Sequence, residues 1–300
     1  MEILKLIAPC KDYLWGGRKL KDKYGKSSES DVVAESWELS FHKDGQTKTE
    51  SGKTLAETLS AEEIGEKAKR FPFFPMLIKF IDARDNLSVQ VHPSDDYALQ
   101  HENSYGKTEM WYVVEAERGA GLYVGFKRDV TREEVERAIA DGTLTDLMNF
   151  YEVQAGDCYF IPSGTVHAIG KGCLICEIQQ NSNLTYRVYD YGRKDKFGNP
   201  RELHIDKALK VLDFKTYTPR TFDENTLGEC AYFHVEKWAI KGKKSFVAGK
   251  DSFVCVTCVC GAGEIDGKPV RAGDSFFVPA AYGECALTGD WTAIVSTIGE

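Results

Sequence analysis

The sequence lacks what a membrane helix needs, since no stretch of its 300 residues approaches 18 consecutive apolar residues. It lacks a leader pattern. Residues 1–10 hold no charged segment followed by a long apolar run and a small-residue cleavage site. It lacks a long Lys/Arg run, and its formal net charge is −8, so no electrostatic footprint for nucleic acid is present. The short basic cluster Arg187, Arg193, Lys194 and Lys196 suits a small anion such as a phosphate better than a polymer. It also lacks an even cysteine count. Nine cysteines in a chain of this length do not make a disulfide framework. These absences predict a cytoplasmic protein with no membrane or nucleic-acid partner. The oligomeric state is left open.

Two cysteine patterns resemble metal knuckles, Cys173 with Cys176, and Cys255 with Cys258 and Cys260. Both sit in alternating β-branched sequence. On a strand, an odd offset sends Cys173 and Cys176 to opposite faces. A zinc knuckle needs a turn between its ligands, and neither segment has a Gly or Pro there. Buried reduced thiols are expected instead, which agrees with a reducing compartment.

Strand-like runs dominate: 109–114, 121–126, 157–161, 173–179, 185–190, 233–240, 253–260, 275–278 and 291–296. They are short, rich in Val, Ile, Phe and Tyr, and separated by Gly, Asp or Pro, as in sandwich and barrel folds. Helices are expected over 51–59, 61–69, 131–140 and 204–212. The third opens with the capping-box pattern Thr131-x-x-Glu134.

An internal repeat organises the chain. Residues 154–167 read QAGDCYFIPSGTVH and residues 271–284 read RAGDSFFVPAAYGE, an offset of 117. Gly119-Ala120-Gly121 and Gly261-Ala262-Gly263 match at an offset of 142. The 25-residue difference equals an insertion the size of 127–151, which holds the capped helix. A strand, a Gly-Asp turn, a strand ending in Pro and a loop carrying a His describe the second motif of a cupin barrel. The expected fold is all-β with a few helices, in two cupin-like β-barrel (jelly-roll) units, the second lacking metal ligands. Glu284 stands where the first copy has His167. The expected division is a catalytic domain over 1–216 with an N-terminal extension and helical insertions. A linker over 217–229 and a degenerate C-terminal β domain over 230–300 follow.

Ser88, Gln90 and His92 share one face of a strand that ends at Pro93. Three polar side chains at alternate positions are odd for a core and sensible for a site. Glu109 opens another strand, and His167 sits where a cupin barrel places a ligand. Two imidazoles, one carboxylate and the Gln90 amide make a mixed N/O set that suits Zn²⁺ with an open position. His42, His101, His204 and His234 have no such partners in sequence and are expected to be structural, and Gly16-Gly17 is expected to be a tight turn.

The stretches LIKFIDARDNLSVQVHPSDDY, GKTEMWYVV and IPSGTVHAIGKG, followed by Arg187, resemble type I phosphomannose isomerase in order over residues 10–212. The length is similar to the compact form of that family. The resemblance implies one Zn²⁺ per chain on His92, Glu109 and His167, with Gln90 as the fourth ligand that some members add. It implies catalytic roles for Arg187 and Lys107, pocket roles for Lys79 and Ser88, and a proton-transfer carboxylate at Glu177. Thr108 departs from the family, whose longer members carry proline there. The implied activity is interconversion of mannose 6-phosphate and fructose 6-phosphate through an enediol. That chemistry needs a Lewis acid for two oxygens and a base that takes and returns a proton. Glu177 or a metal-bound water are the base candidates. Lys107, Arg187 and Arg193 are the candidates for the phosphate. Two other classes compete: another metal-dependent cupin enzyme such as an iron oxygenase, and a non-catalytic sugar-phosphate-binding protein.

Overall fold

The computed structural model describes residues 1–194 and 198–300. Lys196 of the basic cluster lies outside the described residues. The strands form three sheets, and paired strands within each run antiparallel. A six-stranded sheet runs, in spatial order, Cys158–Ile161, Glu109–Ala116, Cys173–Gln180, Met76–Asp82, Glu35–Leu39 and Cys10–Lys11. A five-stranded sheet runs Tyr186–Tyr189, Val89–Val91, His167–Ile169, Gly121–Phe126 and Met148–Glu152. The two face each other across a core of Ile81, Trp111, Val113 and Ile175 from one and Leu122, Val124 and Ile169 from the other. This is the first β-unit.

Its central strands are buried on both faces, which is why their sequences run almost continuously apolar. Alternation splits their residues. Ile78, Phe80, Met110, Tyr112, Leu174, Cys176 and Ile178 pack outward against Phe233, Phe253, Phe277 and Ile294 of the C-terminal unit. Their neighbours Lys79, Glu109, Trp111 and Glu177 alternate with that outward set and so face the interior of the first unit. Cys173 belongs to the interior core and Cys176 to the inter-unit core, on opposite faces as the odd offset predicts. All nine cysteines are free.

On the outer side of the five-stranded sheet, Val89, Val91, Val166, Ala168 and Val188 pack under helices Arg132–Ala140 and Ile205–Val211. The first of these helices has the capping box its sequence predicts, Thr131 with Glu134. The helix expected over 61–69 breaks at Gly65 (φ +108°) into Ala61–Ile64 and a 3₁₀ turn, Glu66–Arg70. A side chain on Gly65 would strike the backbone of Ser252. No helix among the described residues is long and apolar enough to cross a membrane.

The C-terminal unit is an eight-stranded sheet built on the long strands His234–Ala248, Val254–Ile265 and Gly283–Thr297. The N-terminal strand Leu4–Ile7 joins this sheet, Leu4 opposite Phe277, although sequence position groups it with the first unit. Thr226–Glu229, within the expected linker, pairs with the start of His234–Ala248.

The repeat is real in backbone terms. Gly156 and Gly273 take φ of +100° and +95°. Each following aspartate accepts a hydrogen bond from the backbone three residues before it, Gln154 N–H to Asp157 and Arg271 N–H to Asp274. Ile161 pairs with Glu109, and Val278 with Val254. The offset of 117 aligns Ile161 with Val278, so the pairing partner Val254 occupies the place of Glu109. The interior of the second unit is filled by Val254, Val256, Phe276, Leu287, Trp291 and Val295, leaving a hydrocarbon core where the first unit has a site. The Gly-Ala-Gly match is not a structural equivalence. Pairing equates Tyr112 with Thr257, an offset of 145 rather than 142. Gly261 recurs for its own reason: φ is +85° beside a bulge, and a side chain there would strike Asp290 O.

Candidate active site

Strand alternation delivers the site. In Val89–Val91 the two valines pack under the helices, while Ser88 and Gln90 line a cavity of about 290 Å³. His92 follows at the strand end, and His167 pairs with Gln90 across the sheet. His92, Glu109 and His167 bring ligand atoms within 4.8 Å of one another, the only metal-capable cluster among the described residues. His92 Nε2 lies 3.6 Å from Glu109 Oε2, and His167 Nε2 lies 3.4 Å from Glu109 Oε1.

The donor set is prepared for a cation. His92 Nδ1 is 2.8 Å from Leu184 O, and His167 Nδ1 is 2.8 Å from Thr165 O. With Nδ1–H donated to these carbonyls, both Nε2 lone pairs point to a common centre. His92 Nε2 and Glu109 Oε1 are buried without any hydrogen bond. Such orphans are costly unless an ion completes them. The Gln90 amide lies 3.3 Å from His167 Nε2, so an amide flip turns its oxygen to the same point. Burial, with Lys107 nearby, holds His92 well below the usual imidazole range. Burial lowers His167 to about 4. Both rings are neutral at neutral pH, the form a metal requires. Burial and Glu177 push Glu109 up to about 7, against the pull of Lys107.

Beside the trio runs a chain of alternating charge. Lys107 Nζ lies 2.7 Å from Glu109 Oε2 and 3.6 Å from Glu177 Oε1. Lys79 Nζ lies 3.7 Å from Glu177 Oε1 and 3.6 Å from Glu35 Oε2. Register explains the row, because Glu177 pairs with Trp111 on one side and with Lys79 on the other. Trp111 Nε1–H donates to Glu177 Oε2 at 3.0 Å, leaving Oε1 without a hydrogen bond. Burial would raise the Glu177 carboxyl, but Lys107, Lys79 and the indole N–H outweigh it and hold it below its usual value. Lys107 is disfavoured by burial, yet Glu109 and Glu177 raise it above the ordinary lysine range.

At the wall, Arg187 Nε donates to Ser88 Oγ at 3.2 Å and Nη1 donates to Glu202 O at 2.8 Å. Arg193 does not line the cavity. Its guanidinium is held by the Asp190 carboxylate and by Asn86 O at 2.5 Å. Arg201 lines it instead, with Tyr13, Trp15, Glu35, Asn183 and Thr185. Sequence reasoning missed Glu35 and Arg201. Glu35 carried one faint signal, a carboxylate two residues from a tryptophan in an apolar run. Arg201 carried none. The expected turn falls one step earlier, at Leu14 and Trp15, closed by Gly16 N–H donating to Tyr13 O at 2.9 Å. Gly16 and Gly17 themselves make isolated bridges to Ala83 and Val33, where an added side chain would strike Ala34 and Asp82.

Fold and site together define a cupin with a candidate metal centre beside a charged cavity, next to its lining residues Gln90 and Lys107. A family model described as phosphomannose isomerase type I, catalytic domain, matches residues 3–118. One described as mannose-6-phosphate isomerase, cupin domain, matches residues 223–298. The chain is 39% identical to the mannose-6-phosphate isomerase ManA of Bacillus subtilis, over 95% of this chain and 96% of that one. It is 36% identical to the mannose-6-phosphate isomerase of Streptococcus mutans, over 96% and 95%. The crystal structure of the mannose 6-phosphate isomerase from Bacillus subtilis superimposes with a TM-score of 0.88 at 33% identity, covering 99% of both chains. The chain belongs to the type I phosphomannose isomerase family and is an isomerase enzyme.

Proposed function

We propose that this enzyme interconverts mannose 6-phosphate and fructose 6-phosphate, with one zinc ion per chain. The observation that carries the reading is the buried His92–Glu109–His167 trio, with its unpaired donor atoms, beside a cavity rimmed by cations. When bound there, with Gln90 as a further ligand, zinc supplies Lewis-acid polarisation of the carbonyl and its neighbouring hydroxyl.

The side chains do the rest. Glu177 Oε1 is the proton acceptor: it is ionised, it carries no hydrogen bond, and its residue lines the cavity. It takes the C2 proton of the open-chain aldose as the C2–H electron pair moves into a C1–C2 double bond. The former aldehyde oxygen takes up a proton, giving the enediol. Glu177 then returns the proton to C1 while the C2 hydroxyl loses its own and becomes the ketone. Lys107, buried beside Glu177, opposes the negative charge that develops on the enediol oxygens. Arg187 and Arg201 on the cavity wall hold the phosphate, and Ser88 orients Arg187.

The test is a coupled assay on mannose 6-phosphate before and after chelation, with zinc added back. Turnover should be lost with the chelator and return with zinc. Fully metallated protein with no turnover on this substrate would overturn the reading.

A further inference from the structure

Glu177 Oε1 has two ammonium groups near it, yet it bonds to neither. Lys107 stands off at 3.6 Å and Lys79 at 3.7 Å. A buried carboxylate between two lysines would ordinarily close to a hydrogen-bonded contact of 2.7–2.9 Å. Each lysine is drawn to another carboxylate. Lys107 is drawn to Glu109, 2.7 Å away. Lys79 is drawn to Glu35, whose Oε2 is 3.6 Å from Nζ.

Glu35 is itself fixed. Trp37 Nε1–H donates to Glu35 Oε2 at 2.7 Å. The Trp37 ring also lies under Lys79, 4.9 Å from Nζ to the ring centre. Both residues come from strand Glu35–Leu39, where Trp37 pairs with Lys79. The arrangement mirrors the far side of Lys79, where Trp111 clamps Glu177 in the same way. Lys79 is 3% exposed and donates no hydrogen bond among the described residues, so the two carboxylates and the indole face decide where its ammonium rests.

We propose that Glu35 is a positioning residue: acting through Lys79, it holds the ammonium midway and so keeps Glu177 Oε1 free to take the substrate proton. This rests on the assignment of Glu177 as proton acceptor. Without the Glu35 charge, Lys79 is pulled from one side only and closes on Glu177, consuming the oxygen that does the chemistry. Gln in place of Glu35 preserves size and the hydrogen bond from Trp37 while removing the charge.

The experiment compares the zinc-loaded wild type with Glu35→Gln, Glu35→Asp and Glu177→Gln, measuring kcat, KM, zinc content and thermal midpoint. Glu35→Gln should lower kcat by ~10-fold or more, toward the Glu177→Gln floor, with KM and zinc content nearly unchanged. Glu35→Asp keeps the charge and should recover most of the loss. A crystal structure of Glu35→Gln should show Lys79 Nζ within hydrogen-bond distance of Glu177 Oε1. Unchanged kcat in Glu35→Gln would overturn the proposal. So would a loss of activity that follows loss of zinc or of fold, or an Asp variant as impaired as the Gln variant. If the wild type itself fails on mannose 6-phosphate, the substrate reading fails. The Lys79–Glu177 distance in the variant then decides the positioning role by itself.

Discussion

At the scale of single residues, metal affinity should carry the signature of one carboxyl group. His92 and His167 are neutral through the physiological range, because burial holds both below it. They therefore release no protons when a metal binds near neutral pH. Glu109, raised to about 7 in the metal-free protein, must lose its proton. As pH falls below about 7, the metal-free form gains a proton that the loaded form cannot keep. Apparent zinc affinity should then fall roughly tenfold per pH unit. Competition titrations at pH 6 and pH 8 test this, and a slope near two protons would mean that an imidazole is charged. Arg187→Ala should raise KM for mannose 6-phosphate by ~10-fold or more and leave zinc bound, as expected for a lost charge-assisted contact to phosphate. If kcat falls instead with KM unchanged, Arg187 belongs to the enediolate rather than to the phosphate.

At the scale of elements, helix Arg132–Ala140 supports the outer face of the five-stranded sheet, away from the cavity. Thr131→Ala removes the side-chain oxygen that accepts the Glu134 N–H. The expected cost is ~1 kcal/mol of stability with kcat unchanged, measured by urea unfolding alongside the assay. This helix was legible in the sequence because a capping box and helical spacing are local signals. The His92–Glu109–His167 cluster was legible for the same kind of reason, since each of the three sits in a short motif at a strand end. Strand Met76–Asp82 carries no strand signature in its sequence. Both its faces are buried, so MLIKFID shows no clean alternation. Glu35 carried only a faint signal because its contact with Lys79 depends on pairing with a strand more than 40 residues away, set by register between Glu35–Leu39 and Met76–Asp82. Arg201 reaches the cavity from a segment without regular structure, where spacing carries no information.

At the scale of the whole molecule, the C-terminal unit is a structural partner of the first. Phe233, Phe253, Phe277 and Ile294 complete the core that lies behind Glu109, Trp111 and Glu177 on the same sheet. A buried polar bridge ties the units as well. Lys26 Nζ lies 2.7 Å from Glu38 and donates to Gly273 O, while Ser275 Oγ donates to Glu38 Oε2 at 2.9 Å. Glu38 is completely buried, so Glu38→Ala strands Lys26 beside an apolar core. Breaking one partner of such a pair costs on the order of 3–5 kcal/mol. Phe277→Ala opens a cavity in the same core at a cost of about 3–5 kcal/mol. Because these contacts and strand Leu4–Ile7 cross between the sequence units, the full chain should unfold in one transition. Both substitutions should shift that transition as a whole rather than split it. A fragment of residues 1–216 would leave Leu4–Ile7 without Ser275–Val278 and expose the outer face of the catalytic sheet. It should fail to fold and to bind zinc. A folded, zinc-binding fragment would show instead that the second unit is dispensable for building the site.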